Sequence, residues 1–170
     1  MQLTNTAIPQ TGQFDLVSDW QIDAPITAVW AALQNPLDWP QWWPYVKLVQ
    51  CLNPGLTKPG RPTTGQVYLV IWSSRLRYQL LMVVTVQEVV VPQKIVVSAT
   101  GDVSGCGEWT LRATANGTAV NYRWQVVVDK TWMRWLLPVA RRLFAWNHRA
   151  VMDAGQQGLQ AYLNGQIAQG

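Results

Sequence analysis

EWTLRATANGTAVNYRWQVVV, residues 108–128, decides how the rest of the chain is read. Before Asn116–Gly117, Trp109, Leu111 and Ala113 alternate with Glu108, Thr110 and Arg112. After it, Val120, Tyr122, Trp124, Val126 and Val128 again share one side. A period of two sends alternate side chains to opposite faces of a strand. The Asn-Gly pair tolerates positive φ at both positions, which predicts a hairpin. Two antiparallel strands with one apolar face must bury that face against another layer.

Upstream the same alternation recurs. KIVVSAT (94–100) reads as a strand, and GDVSGCG (101–107), with its three glycines, as a turn or bulge. A turn at SSR (73–75) precedes a long strand at 76–90, with Leu76, Tyr78, Leu80, Met82, Val84 and Val86 on one face. QVYLVIW (66–72) and YVKLVQCL (45–52) are further strands, separated by a loop rich in Gly and Pro. FDLVSDWQID (14–23) is the first strand, and residues 1–13 read as a loose polar segment. Pro25 stops that strand and opens a helix, with Ile26, Val29, Trp30 and Leu33 at helical spacing. In NPLDWPQWWPYV (35–46), Asp38 is the expected N-cap of one short turn through Trp42 and Trp43.

Downstream of Asp129 the period becomes helical. Thr131 is the expected cap of a helix reaching about Asn164, with a kink expected at Pro138. Leu143, Phe144, Val151, Gly158 and Tyr162 fall on its apolar face, and Arg142, Arg149, Asp153 and Gln156 on the other. Small residues Ala154, Gly155, Gly158 and Ala161 let its C-terminal half lie close against the sheet. The bulkier N-terminal half stands off, which predicts a cavity deepest there. Asn147 sits near the centre of the apolar face and His148 at its border. Each either finds a partner within the protein or in water, or offers hydrogen bonds to a bound molecule. Trp135 and Trp146 fall on the outer face beside Arg142 and Arg149. That is also the pattern of a membrane-surface helix. The dominant apolar face points the other way, so covering by other segments or by cation–π packing is favoured.

The 170 residues suit one domain, with enough chain for a sizeable core. Half the residues are apolar and 13% are charged, which excludes disorder. The net charge is +4, but no basic stripe accompanies it, so nucleic acid is not an expected partner. Eleven tryptophans are unusual, and Trp lines pockets as readily as cores. Cys51 and Cys106 form no CxxC pair and read as buried free thiols in a cytoplasmic protein. The N-terminus lacks a basic region followed by an apolar core, and no apolar run is long enough to span a bilayer.

Catalytic signatures are sparse. No phosphate-binding glycine loop and no GxSxG elbow appear. With one histidine, His148, no His-cluster metal site is expected, and the nine acidic residues are scattered. Neither metal nor cofactor is expected.

Several motifs together resemble a known family. They are W-x-I-D-A-P-x-x-x-V-W-A-A-L at 20–33, N-P-x-x-W-P-x-W-W-P at 35–44, G-E-W-T-L at 107–111, N-G-T-A-V-N-Y-R-W at 116–124, and the helix from Phe144 to Leu159. The chain resembles the START/Bet v 1-like (SRPBCC) superfamily, in particular its bacterial polyketide cyclase/dehydrase-type members. The resemblance implies an α+β helix-grip fold. In that fold a curved seven-stranded antiparallel sheet grips a long C-terminal helix, with two short helices between strands one and two. It also implies a cavity for a small hydrophobic ligand such as a lipid, quinone or polyketide. The expected lining residues are Trp42, Trp43, Tyr78, Trp109, Tyr122, Trp124, Phe144, Asn147 and His148. Three readings stay open: a non-enzymatic carrier or sensor; a cyclase or dehydratase with His148 as general acid/base and Asn147 or Tyr122 orienting a carbonyl; and a module docking on a membrane or partner through Trp135, Arg142, Trp146 and Arg149.

Overall fold

The alternation around Asn116–Gly117 becomes strands β6 (Val103–Thr114) and β7 (Gly117–Val128), with Trp109 opposite Tyr122 and Leu111 opposite Val120. The computed structural model describes residues 13–56, 63–75, 78–128 and 137–167. Gly117 takes a φ of 137° at the hairpin, a conformation that side chains with a Cβ rarely adopt. The remaining strands are β1 (Gln13–Ile22), β2 (Val46–Cys51), β3 (Val67–Ser73), β4 (Gln79–Val90) and β5 (Lys94–Gly101). Each neighbouring pair is antiparallel, and the seven strands lie in the order β1-β7-β6-β5-β4-β3-β2. Strands β1 and β2, consecutive in the chain, therefore form opposite edges of one sheet.

The chain between those edges is helical. Helix α1 (Ile26–Leu33) starts after Pro25 and buries Val29, Trp30, Ala32 and Leu33. A single 3-10 turn (Pro36–Asp38) leads into α2 (Trp39–Trp42). Helix α3 (Leu137–Ile167) then packs on β1, α1 and α2. A seven-stranded antiparallel sheet, a long C-terminal helix and two short helices between strands one and two make the α+β helix-grip fold. Among the described residues no helix is long and apolar enough to cross a membrane.

Four details depart from the sequence reading. First, Asp38 stands at the N-cap of α2 but does not cap it. Its carboxylate accepts instead from Asn35 Nδ2 at 2.7 Å and Gln41 Nε2 at 3.0 Å. Pro40, in the first turn, lacks the N–H that a cap at this position would bond. Second, most of GDVSGCG is strand. Only Gly101 turns, at a φ of 130°, and the register irregularities lie elsewhere, in β2 between Val46 and Leu48 and in β4 between Val86 and Glu88. Third, the two glycines in the middle of α3 meet α2 rather than the sheet. A Cβ on Gly155 would collide with the Trp43 ring, and one on Gly158 with the Trp42 carbonyl oxygen. Fourth, both cysteines are free, but Cys51 is half-buried and Cys106 exposed. Cys106 alternates with the inward-facing Gly107 and Trp109 and so lies on the outer face of β6. Leu76, Arg77, Thr131 and Trp135 lie outside the described residues, as do the side chains of Pro138 and Phe144.

Two buried clusters make the core. The larger joins Trp20, Trp43 and Trp109 to Val29, Leu33 and Leu159, where sheet and helices meet. The smaller gathers Phe14, Met82, Ala99, Val103 and Val126 at the far end of the sheet. Trp72 and Val84 border both.

Candidate ligand-binding cavity

Between sheet and helix lies a cavity of about 180 Å³. Period two on each strand supplies its walls. Tyr68, Val70 and Trp72 come from β3, and Leu80, Met82, Val84 and Val86 from β4. Trp109 enters from β6, and Tyr122, Trp124 and Val126 from β7. Helix α3 adds Asn147, His148, Val151 and Met152, so its N-terminal half does border the void. Leu33, Trp39 and Trp43 line it from the helical segment. The volume compares with the roughly 150 Å³ apolar cavity known to bind benzene, and it falls below the ~300 Å³ at which drug-sized sites begin. It suits a compact guest of one or two rings.

One wall, the floor, is a stack of aromatic rings. Trp109 and Tyr122 stack with centroids 4.1 Å apart and planes 24° apart. Tyr122 and Trp124 follow at 6.1 Å and 18°. Gly107, opposite Trp124 on β6, leaves room for these rings. A Cβ there would sit 2.9 Å from both Trp124 Cε3 and the Tyr122 hydroxyl.

The tryptophans of α2 divide. Trp43 is fully buried, lines the cavity, and meets Trp72 edge-on at 4.9 Å. Its Nε1 donates to the Val151 carbonyl at 2.8 Å. Trp39 also lines the cavity and donates to the Leu33 carbonyl at 3.2 Å. Trp42, expected on the wall, is buried away from it and stacks on Trp43 at 5.4 Å. The Trp42 Nε1 is buried with no hydrogen-bond partner among the described residues.

The polar groups are few. Asn147, 8% exposed, accepts the Arg75 backbone N–H at 3.0 Å through Oδ1. His148 Nε2 lies 3.1 Å from Ser18 Oγ. Burial pushes the His148 imidazole down to about 4, so it is neutral at pH 7. Burial also pushes the phenols of Tyr68, Tyr78 and Tyr122 up, again toward the neutral form. Among the described residues no Asp, Glu, Lys or Arg lines the cavity. No three His, Cys, Asp or Glu side chains cluster anywhere among those residues.

The residues named from sequence are thus partly gathered. Trp43, Tyr78, Trp109 and Trp124 line the cavity, together with Tyr122, Asn147 and His148. Trp42 does not, and the Phe144 side chain is outside the described residues. Tyr68, Val70, Trp72 and Trp39 were missed. The first three alternate within QVYLVIW, so the period of β3 carried the signal. On the outer surface Trp146 is 44% exposed. The cation over its ring is Arg75, 4.9 Å from the centroid, rather than Arg142 or Arg149 of its own helix.

Residues 13–163 match the family model described as "Polyketide cyclase / dehydrase and lipid transport", and the chain belongs to that family. A comparison with curated protein sequences gives no match. Among solved structures, the Zhui aromatase/cyclase from a Streptomyces species is similar, with a TM-score of 0.71 at 14% identity over 91% of this chain and 96% of that one. A START superfamily protein from Mycobacterium smegmatis gives a TM-score of 0.67 at 13% identity, over 91% and 98% of the two chains. The di-domain ARO/CYC BexL gives 0.69 at 16% identity over 90% of this chain and 50% of that one, so the present chain spans half its length. At these identities the likeness is one of fold.

Proposed function

We propose that the protein binds or carries a small hydrophobic molecule, of the lipid, quinone or polyketide kind, in the cavity between sheet and α3. The observation behind this reading is the cavity itself, walled by aliphatic side chains and five tryptophans. Its wall is mostly apolar and aromatic, so an apolar guest would leave water and gain dispersion contacts there. The two unpaired cysteines fit a reducing compartment, and the cytoplasm is the one we propose.

The enzymatic reading draws on His148 and Tyr122, which both line the cavity. An imidazole at about 4 is a weak base near neutral pH, and the best general bases sit near the working pH. The binding reading is therefore preferred.

Intrinsic fluorescence tests it. Trp39, Trp43, Trp72, Trp109 and Trp124 border the void, five of the chain's eleven tryptophans, so a guest should change the emission saturably. The titration uses a panel of neutral lipids, quinones and aromatic polyketides. Val126→Phe, which fills part of the void, should weaken the response. A folded protein whose emission ignores every member of the panel has no such function.

A further inference from the structure

The cavity's electrical character narrows what it can hold. Twenty-eight described residues border it, and none is acidic or basic apart from His148. The wall's titratable groups face one another from four elements: Tyr68 on β3, Tyr78 just before β4, Tyr122 on β7 and His148 on α3. Burial drives every one of them toward its neutral form. Arg75, next to the wall residue Ser74, turns its guanidinium outward over Trp146.

Several wall groups retain hydrogen-bonding capacity, among them the Gln34 amide, the Tyr122 hydroxyl and the Asn147 amide. The Tyr122 hydroxyl has no hydrogen-bond partner among the described residues. Asn147 uses Oδ1 on the Arg75 backbone, while its Nδ2 hydrogens have no partner among the described residues. Both are neutral, and both can donate. An ion entering this space would leave its water for walls whose described residues are apolar or neutral and offer it no opposite charge. Neutral donors only partly replace the hydration of an anion. A neutral carbonyl or ether oxygen loses far less on entry and gains the same donors.

We infer that this cavity selects the uncharged form of its guest: a compact apolar molecule bearing a neutral hydrogen-bond acceptor, with carboxylates, phosphates and sulfonates excluded. The inference rests on the binding reading above and adds a charge rule to it. Headgroup lipids and fatty-acid anions fall outside the rule; ketones, quinones, esters and amides on a small ring system fall within it.

Naphthamide and naphthoate have the same ring system and the same number of heavy atoms but differ in charge at pH 7. Fluorescence titration of the full chain should show naphthamide binding at least ~30-fold more tightly than naphthoate. Tyr122→Phe should weaken naphthamide several-fold while leaving plain naphthalene unchanged, with circular dichroism confirming the fold. Equal or tighter binding of naphthoate at pH 7 overturns the charge rule and leaves the binding reading standing. Unaltered naphthamide affinity in both Tyr122→Phe and Asn147→Leu overturns the assigned donors. Failure of naphthamide, naphthoate and naphthalene alike overturns the binding reading and this inference with it.

Discussion

The indole Nε1 of Trp43 donates to the carbonyl of Val151 across 2.8 Å, fastening α2 to the turn of α3 that borders the cavity. The approach is possible because Gly155, one turn further along α3, has no side chain. A Cβ there would meet three atoms of the Trp43 ring. Alanine in place of a helical glycine ordinarily adds about 1 kcal/mol of helix stability. Here overpacking outweighs that gain, since crowding a filled core costs about 1–3 kcal/mol. Gly155→Ala should therefore lower the urea midpoint. Gly165→Ala, in the last turn of the same helix with nothing within 4 Å of its Cβ, should leave it unchanged or raise it.

The buried imidazole makes stability depend on pH. His148 titrates at about 4 when folded and near 6.5 when unfolded. Between these values the unfolded chain holds the extra proton, so stability is fully present above pH 6.5 and is lost as pH falls toward 4. The difference corresponds to about 3 kcal/mol as an upper figure, because the ring keeps some exposure. His148→Gln removes this slope. The stability difference between wild type and variant, from urea unfolding at pH 7 and pH 5, should shift by about 1–2 kcal/mol in favour of the variant at the lower pH. An unchanged difference means that the imidazole is hydrated in the folded state.

Much of this fold was legible because its strands are half-buried. Alternation in β4, β6 and β7 picked out the cavity face directly, and the Asn-Gly turn set the register of the last hairpin. Helix α1 was equally clear, since Pro25 marks its start and four apolar residues set its phase. What escaped were features decided by packing at a distance. Trp42 and Trp43 lie in a four-residue helix flanked by prolines, too short for any period to show which ring turns inward. Gly105 and Gly107 look like turn residues, yet they sit in a strand because the neighbouring β7 backbone and rings occupy the space where side chains would stand. Gly155 and Gly158 announced a close approach without naming the partner, which is α2. Chemistry was harder to read than shape. That Asn147 bonds the Arg75 backbone depends on a loop 72 residues away.

A buried hydroxyl joins the hairpin to the first helix. Thr118 is fully buried, and its Oγ1 donates to the Ala24 carbonyl at 2.8 Å, just before α1 begins. Thr118→Val keeps shape and volume but removes the donor. The carbonyl then stays buried without it, at a cost of about 1–3 kcal/mol. A loss of that size in chemical unfolding, with an unchanged far-ultraviolet spectrum, is the expected result. A neutral outcome would show that water reaches the Ala24 carbonyl.

Gly107 separates the requirements of folding from those of binding. A Cβ at this position would lie 2.9 Å from the Tyr122 hydroxyl and 2.9–3.0 Å from two Trp124 ring atoms. These rings have the void on their other side, so Gly107→Ala pushes them into the cavity rather than against filled core. The stability loss should stay below about 1.5 kcal/mol, since side chains relax more readily toward empty space than into packed neighbours. The void should shrink and the floor should tilt. Naphthamide affinity should then fall at least ~10-fold, measured by the same fluorescence titration used for the wild type. If Gly107→Ala folds normally and binds naphthamide as well as the wild type, the floor of Trp109, Tyr122 and Trp124 is not the surface on which the guest rests.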